Sequence, residues 1–83
     1  MRLRNEAKIL IYLQANLPVD DVAPVLEYLQ TKMPMRVDNA NDAERIICRA
    51  IERKSYLGRC GGNGDLKASR MAHHIVDKIW RLQ

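Results

Sequence analysis

Apolar positions along this chain fall into four stretches with the three-then-four spacing of amphipathic helices. The most regular runs from Leu66 to Leu82, where Ala68, Met71, Ala72, Ile75, Val76, Ile79 and Trp80 form one stripe. On its other side Lys67, Arg70, His74, Lys78 and Arg81 recur at three or four, a cationic row facing away from the core. The preceding helix is expected over 42–57, with Ala43, Ile46, Ile47, Ala50 and Ile51 inward. Asn41 with Glu44 three residues on resembles a capping box at its start, and Gly58 suits a left-handed stop.

Val22, Val25, Leu26, Leu29 and Met33 predict a helix over 21–33, capped by Asp20 or Asp21 and ended by Pro34. Pro24 is tolerable there if it falls in the first turn, whose N–H groups have no intrahelical acceptor. The first helix is expected over 5–16, between a capping Asn5 and the Leu17-Pro18 stop. Leu3, Ala7, Leu10, Ile11 and Gln14 lie along one of its sides, while Ile9 and Leu13 widen the band. So wide a band predicts burial on more than one flank and a central place in the packing. Met35-Arg36-Val37 reads as extended, without an evident strand to pair with, and Asp38–Asn41 as a turn. A glycine-rich loop over 58–64 precedes the last helix. The expected fold is a single all-α domain, 1–83, of four compactly packed helices.

A phrase recurs in the first half. ILIYLQANLPV at 9–19 and VLEYLQTKMPM at 25–35 match in Leu, Tyr, Leu, Gln and Pro. Either a helical unit is duplicated or two amphipathic helix ends simply look alike; two copies are too few for a solenoid.

Length and composition narrow the class. Eighty-three residues, 47% hydrophobic and 29% charged, describe one folded domain with a small core, burying about 60–65% of the surface its unfolded form exposes. With no Phe and one Trp the core must be mainly aliphatic, which suits helix-on-helix packing. No run approaches the roughly 20 apolar residues of a membrane span. The Ile9–Leu13 run is too short for a secretory signal, and two cysteines without a signal read as reduced thiols, so the cytosol is the expected compartment.

The net charge of +4 is unevenly spread. Residues 1–44 hold five basic and seven acidic side chains, net −2, whereas 45–83 hold nine against three, net +6. Arg45, Arg49 and Arg53 fall four apart on the third helix, and with the row on the fourth they could border one surface if these helices pack antiparallel. Such a surface suits phosphates, which arginine can fork. The expected function is a small regulatory protein that binds DNA or RNA through Arg45, Arg49, Arg53, Lys67, Arg70, His74, Lys78 and Arg81. The alternative is a helical adaptor or inhibitor that binds an acidic partner protein, with a homodimer as one form. An ordinary solvated face, partly neutralised by Arg49–Glu52 and Asp77–Arg81 pairs, competes with both.

Other chemistries fit poorly. A helix-turn-helix would make the second helix the reader, and its Asp20, Asp21 and Glu27 have the wrong sign. The 58–64 glycines could form an anion nest, but no Gly-Lys-Ser/Thr closes them and Asp65 would repel a phosphate. Cys48, Cys60, His73 and His74 lack the short gaps of a zinc site, and adjacent helical histidines point about 100° apart, so no metal or other cofactor is expected. Ser55, Ser69, the histidines and Asp77 supply catalytic residue types, and His73–Asp77 could hydrogen-bond, yet so small a core leaves little room for a cleft, and no enzyme is expected.

Overall fold

A computed structural model describes residues 3–36, 39–55 and 61–81, with side chains outside 34–36 and 61–66. The helices are α1 (Glu6–Asn16), α2 (Val19–Arg36), α3 (Ala40–Lys54) and α4 (Gly61–Ile75), the last continuing into a π-helical turn, Val76–Trp80. Cross-helix contacts set the directions. Gln30 Nε2 donates to Glu6 Oε1, joining the start of α1 to the later part of α2. Ser55 Oγ donates to Asp21 Oδ2, joining the end of α3 to the start of α2. His73 meets Glu44, joining the end of α4 to the start of α3, and Tyr12 stacks on His74. Each helix therefore runs against its neighbours in an up-down-up-down bundle closed by α1 and α4. The radius of gyration is 11.4 Å, close to the about 12 Å expected for this length.

The core is built from the expected stripes. Val22, Val25, Leu29 and Met33 of α2, Ala43, Ile47, Ala50 and Ile51 of α3, and Ala68, Met71, Ala72, Ile75, Val76 and Trp80 near the C-terminus are all buried. From α1 come Ile9 and Leu13, with Leu3 and Leu17 at its ends. The centre is α3, which packs on α2, on α4 and on the π turn. The expected central place for α1 is not found: Ala7 is exposed, Ile11 is 65% exposed, and α1 packs mainly on α2 and the π turn. Apolar residues are free to stay outside, so a wide apolar band overstates burial.

Helix limits differ from the expected ones where termination depends on more than one residue. α1 stops as expected, with Leu17 extended (φ −120°, ψ 154°) ahead of Pro18. α2 starts directly after Pro18, where the Asp21 N–H bonds the Pro18 carbonyl at 2.9 Å. Its acids thus lie inside the first turn, and Pro24 falls in the second. Pro24 leaves the Asp20 carbonyl without its helical donor, which is tolerable because both residues are exposed to water. Pro34 likewise does not end α2, which continues to Arg36; a proline removes one bond to i−4 and need not stop a helix in its last turn. The cap of α3 is Asn39 rather than Asn41: its Oδ1 accepts the Asp42 N–H at 3.0 Å, and its Nδ2 donates to Asp42 Oδ2 at 3.3 Å. α3 ends at Lys54, with Ser55 as C-cap, so the expected Gly58 stop lies outside the described residues. α4 begins at Gly61, so the 61–64 part of the expected glycine-rich loop is helical, while 58–60 lie outside the described residues. Helix formation there lacks any apolar side chain to announce it, since glycine contributes nothing to a stripe. The expected extended run at 35–37 is helical through Arg36.

The repeated phrase has a structural counterpart. Ile9 and Val25, Leu13 and Leu29, and Leu17 and Met33 are buried; Leu10 and Leu26, and Tyr12 and Tyr28, are half-buried; the other pairs from 11/27 to 16/32 are exposed. One packing register is thus used twice by two antiparallel neighbours. At the exposed position 11/27 the first copy carries Ile and the second Glu.

The residues before α1 tie its start to the π turn that follows α4. Asn5 is in the left-handed region (φ 55°, ψ 37°), the one non-glycine with positive φ among the described residues. Its side chain does not cap α1; instead Nδ2 donates to the Ile79 carbonyl at 2.8 Å. The Arg4 guanidinium lies 4.5 Å from the centre of the Trp80 ring, a cation–π contact, and Leu3 is buried beside the core. In the π turn the Arg81 N–H reaches the Val76 carbonyl at 3.1 Å, and the wider turn keeps Val76 and Trp80 on the core side. Asn5→Gly should preserve the backbone but lose the side-chain bond to Ile79, about 0.5–1.5 kcal/mol, whereas Asn5→Ala loses that bond too and adds roughly 1–2 kcal/mol of left-handed strain. Urea denaturation should rank wild type above Gly above Ala.

Candidate nucleic-acid interface

The cations expected on α3 are where helical spacing puts them. Arg45, Arg49 and Arg53 are exposed along the outer side of the helix, and none is ion-paired among the described residues. Glu52 does not neutralise Arg49; its Oε1 accepts from the Cys48 thiol at 3.2 Å. Arg45 and Arg49 form a ridge between two grooves of opposite character.

On the α4 side, the groove of 500 Å³ is lined by Glu44, Cys48, Glu52 and Ser69 as well as the two arginines. His73 Nδ1 lies 2.9 Å from Glu44 Oε1 at this seam; a carboxylate can only accept, so the bond requires the proton on Nδ1. On the α2 side, a cleft of 150 Å³ is lined by Tyr28, Lys32, Arg45, Ile46 and Arg49, with no carboxylate. Tyr28 and Lys32 also border an adjoining depression of 280 Å³ that Lys54 and Glu27 help to line. Lys32 thus joins the arginine ridge from a neighbouring helix, a partnership that spacing along the chain cannot reveal. The signal available was its place on the outer side of the 21–33 helix, one turn beyond Tyr28.

The α4 row is more dispersed. Lys67, Arg70, His74, Lys78 and Arg81 are all exposed. The His74 ring is stacked on Tyr12 of α1, with centroids 4.6 Å apart and 14° between planes. Partial burial raises the Tyr12 phenol above its ordinary value. Asp77 lies 3.6 Å from Lys78 Nζ and 4.0 Å from Arg81 Nη1, so the expected Asp77–Arg81 pair is present and Lys78 shares it. Because His73 turns toward α3 and His74 toward α1, this row looks away from the arginine ridge. The α4 row lines neither of the two grooves that flank the arginine ridge.

Several of the remaining candidates are engaged in contacts of their own. Ser55 is fully buried, tied to Asp21 at 3.1 Å. Cys48 is half-buried beside the core, and Cys60 lies outside the described residues. His73 bonds Glu44 rather than Asp77. Among the described residues no three His, Cys, Asp or Glu side chains converge on a metal position, and no helix is long and apolar enough to cross a membrane. No family model, curated protein or solved structure matches the chain.

Proposed function

We propose that this protein binds nucleic acid, with the outer side of α3 as its main phosphate-contacting surface. The observation that carries the reading is the acid-free cluster of Lys32, Arg45 and Arg49, extended along α3 by Arg53 and exposed without ion pairs among the described residues. A phosphate chain laid on the α2 side of the ridge meets only cations in the cleft, whereas on the α4 side it meets Glu44 and Glu52. Electrostatics therefore selects the α2 side. Lys67 and Arg70 offer a second, weaker approach from α4, and His74, Lys78 and Arg81 contribute less because Tyr12 and Asp77 already engage them. Four phosphate contacts from Lys32, Arg45, Arg49 and Arg53 would lower affinity about a hundredfold between 50 and 200 mM salt. Fluorescence anisotropy of labelled DNA and RNA at those two concentrations tests this. Absence of binding at 50 mM would overturn it.

A second reading, self-association, draws on a separate observation. Ala7, Ile11 and Ala15 are exposed at intervals of four on α1, and Val19 just beyond is 83% exposed. In the repeated register the counterpart of Ile11 is the exposed Glu27, so the fold does not require an apolar residue at this position. If two copies meet through this face, Ile11→Glu should weaken the dimer at least tenfold while leaving the helical circular dichroism unchanged. Sedimentation equilibrium would measure it, and a wild-type protein that is monomeric at 100 μM, about the top of the usable range, would remove the reading.

A further inference from the structure

The shape of the α3 surface narrows the kind of nucleic acid. We propose that the α2–α3 cleft takes a single strand, with phosphates on Lys32, Arg45 and Arg49 and one base against Tyr28 and Ile46. This inference rests on the nucleic-acid reading given above and specifies its ligand.

A reading helix must enter a duplex major groove about 12 Å wide, and a helix with its side chains is itself about 10–12 Å across. Such a helix has to stand clear of its neighbours. α3 does not: it is the central element, packed on α2 along one side and α4 along the other. Its exposed side is a ridge between two grooves, and the ridge carries arginines rather than a protruding helix end. A duplex could touch that ridge only through backbone phosphates. A single strand can follow the seam itself.

The cleft supplies what a strand needs in addition to charge. It is lined by Tyr28 and Ile46, both half-buried against the core, and by three exposed cations. The 150 Å³ volume corresponds to roughly five waters, enough for one planar ring. Sequence-tolerant strand binding uses this combination of a cationic track and an aromatic face for a base. Glu27 in the adjoining depression marks the end at which a phosphate is least welcome. Tyr12, which occupies the matching position of the repeated register, is covered by His74 and offers no equivalent face.

The test compares a 12-nucleotide oligo(dT) or oligo(U) with a duplex of the same length at one fixed salt concentration, with poly-glutamate as an acidic polypeptide. Wild-type protein should bind the single strands at least tenfold more tightly than the duplex. Tyr28→Leu, which keeps apolar packing and removes the ring, should weaken strand binding roughly tenfold to a hundredfold, while Tyr28→Phe stays within about twofold of wild type. Duplex binding that equals or exceeds strand binding would overturn the single-strand inference. If that duplex binding also depended on Arg45 and Arg49, the broader nucleic-acid reading would stand. Preferential capture of poly-glutamate, or no binding to any nucleic acid, would overturn both. The wild-type comparison of strand with duplex needs no variant, so a Tyr28→Leu protein that failed to fold would not rescue the inference.

Discussion

Ile47→Asp is expected to leave no cooperatively folded protein at 25 °C. Ile47 is fully buried on the central helix, within the apolar core. Such a group must either stay charged in an apolar site or take up a proton, and either course costs several kcal/mol beyond the lost isoleucine packing. A domain of this length has roughly 4–12 kcal/mol of stability in total. Ile75→Asp on α4, also fully buried, should do the same from the opposite side of the core. Circular dichroism and urea titration give the readout, with Ile11→Glu as the control for an acid placed on the surface. A folded Ile47→Asp protein would mean that the α3 stripe does not face the core.

The second large effect concerns binding alone. Replacing Arg45, Arg49 and Arg53 together by Ala removes three exposed charges that make no ion pairs among the described residues, so the fold should be retained. The slope of log affinity against log salt should flatten by about 2–3, close to one unit for each lost phosphate contact. At low salt the loss of affinity should be largest, because screening has not yet weakened the contacts in the wild type. An unchanged slope in an anisotropy titration would show that the ridge carries no phosphate contacts. The equivalent change at Lys67 and Arg70 should matter less, since those residues lie on a flank the arginine ridge does not share.

Much of the fold was legible because each helix writes its buried side into its own spacing. Val22, Val25, Leu29 and Met33 announced α2 without any reference to a partner, and Ala43, Ile47, Ala50 and Ile51 did so for α3. The start of α4 was not legible, because Gly61, Gly62 and Gly64 carry no side chain by which a stripe could be recognised. Nor was the central helix: Ile11 looks as buried as Ile9 in a periodic reading, and only the packing of α3 between two neighbours decides otherwise. For the candidate site, the exposure of Arg45, Arg49 and Arg53 followed from the four-residue repeat. The convergence of Tyr28 and Lys32 on them did not, because it depends on how α2 and α3 lie against each other. The same limit applies to Asn5, whose residue type suggested a cap and whose amide serves a carbonyl 74 positions away.

The link between Asn5 and Ile79 has a kinetic consequence. Among the described helices, three of the four seams join helices that follow one another in sequence, so most of the bundle can assemble through contacts between nearby segments and should do so quickly. The α1–α4 seam is the exception, and its closure requires nearly the whole polypeptide to be in place first. Interactions made late in assembly weigh chiefly on the rate of escape from the native state. The Asn5 and Arg4 contacts should therefore act as a latch: they do little to hasten collapse but prolong the lifetime of the assembled bundle.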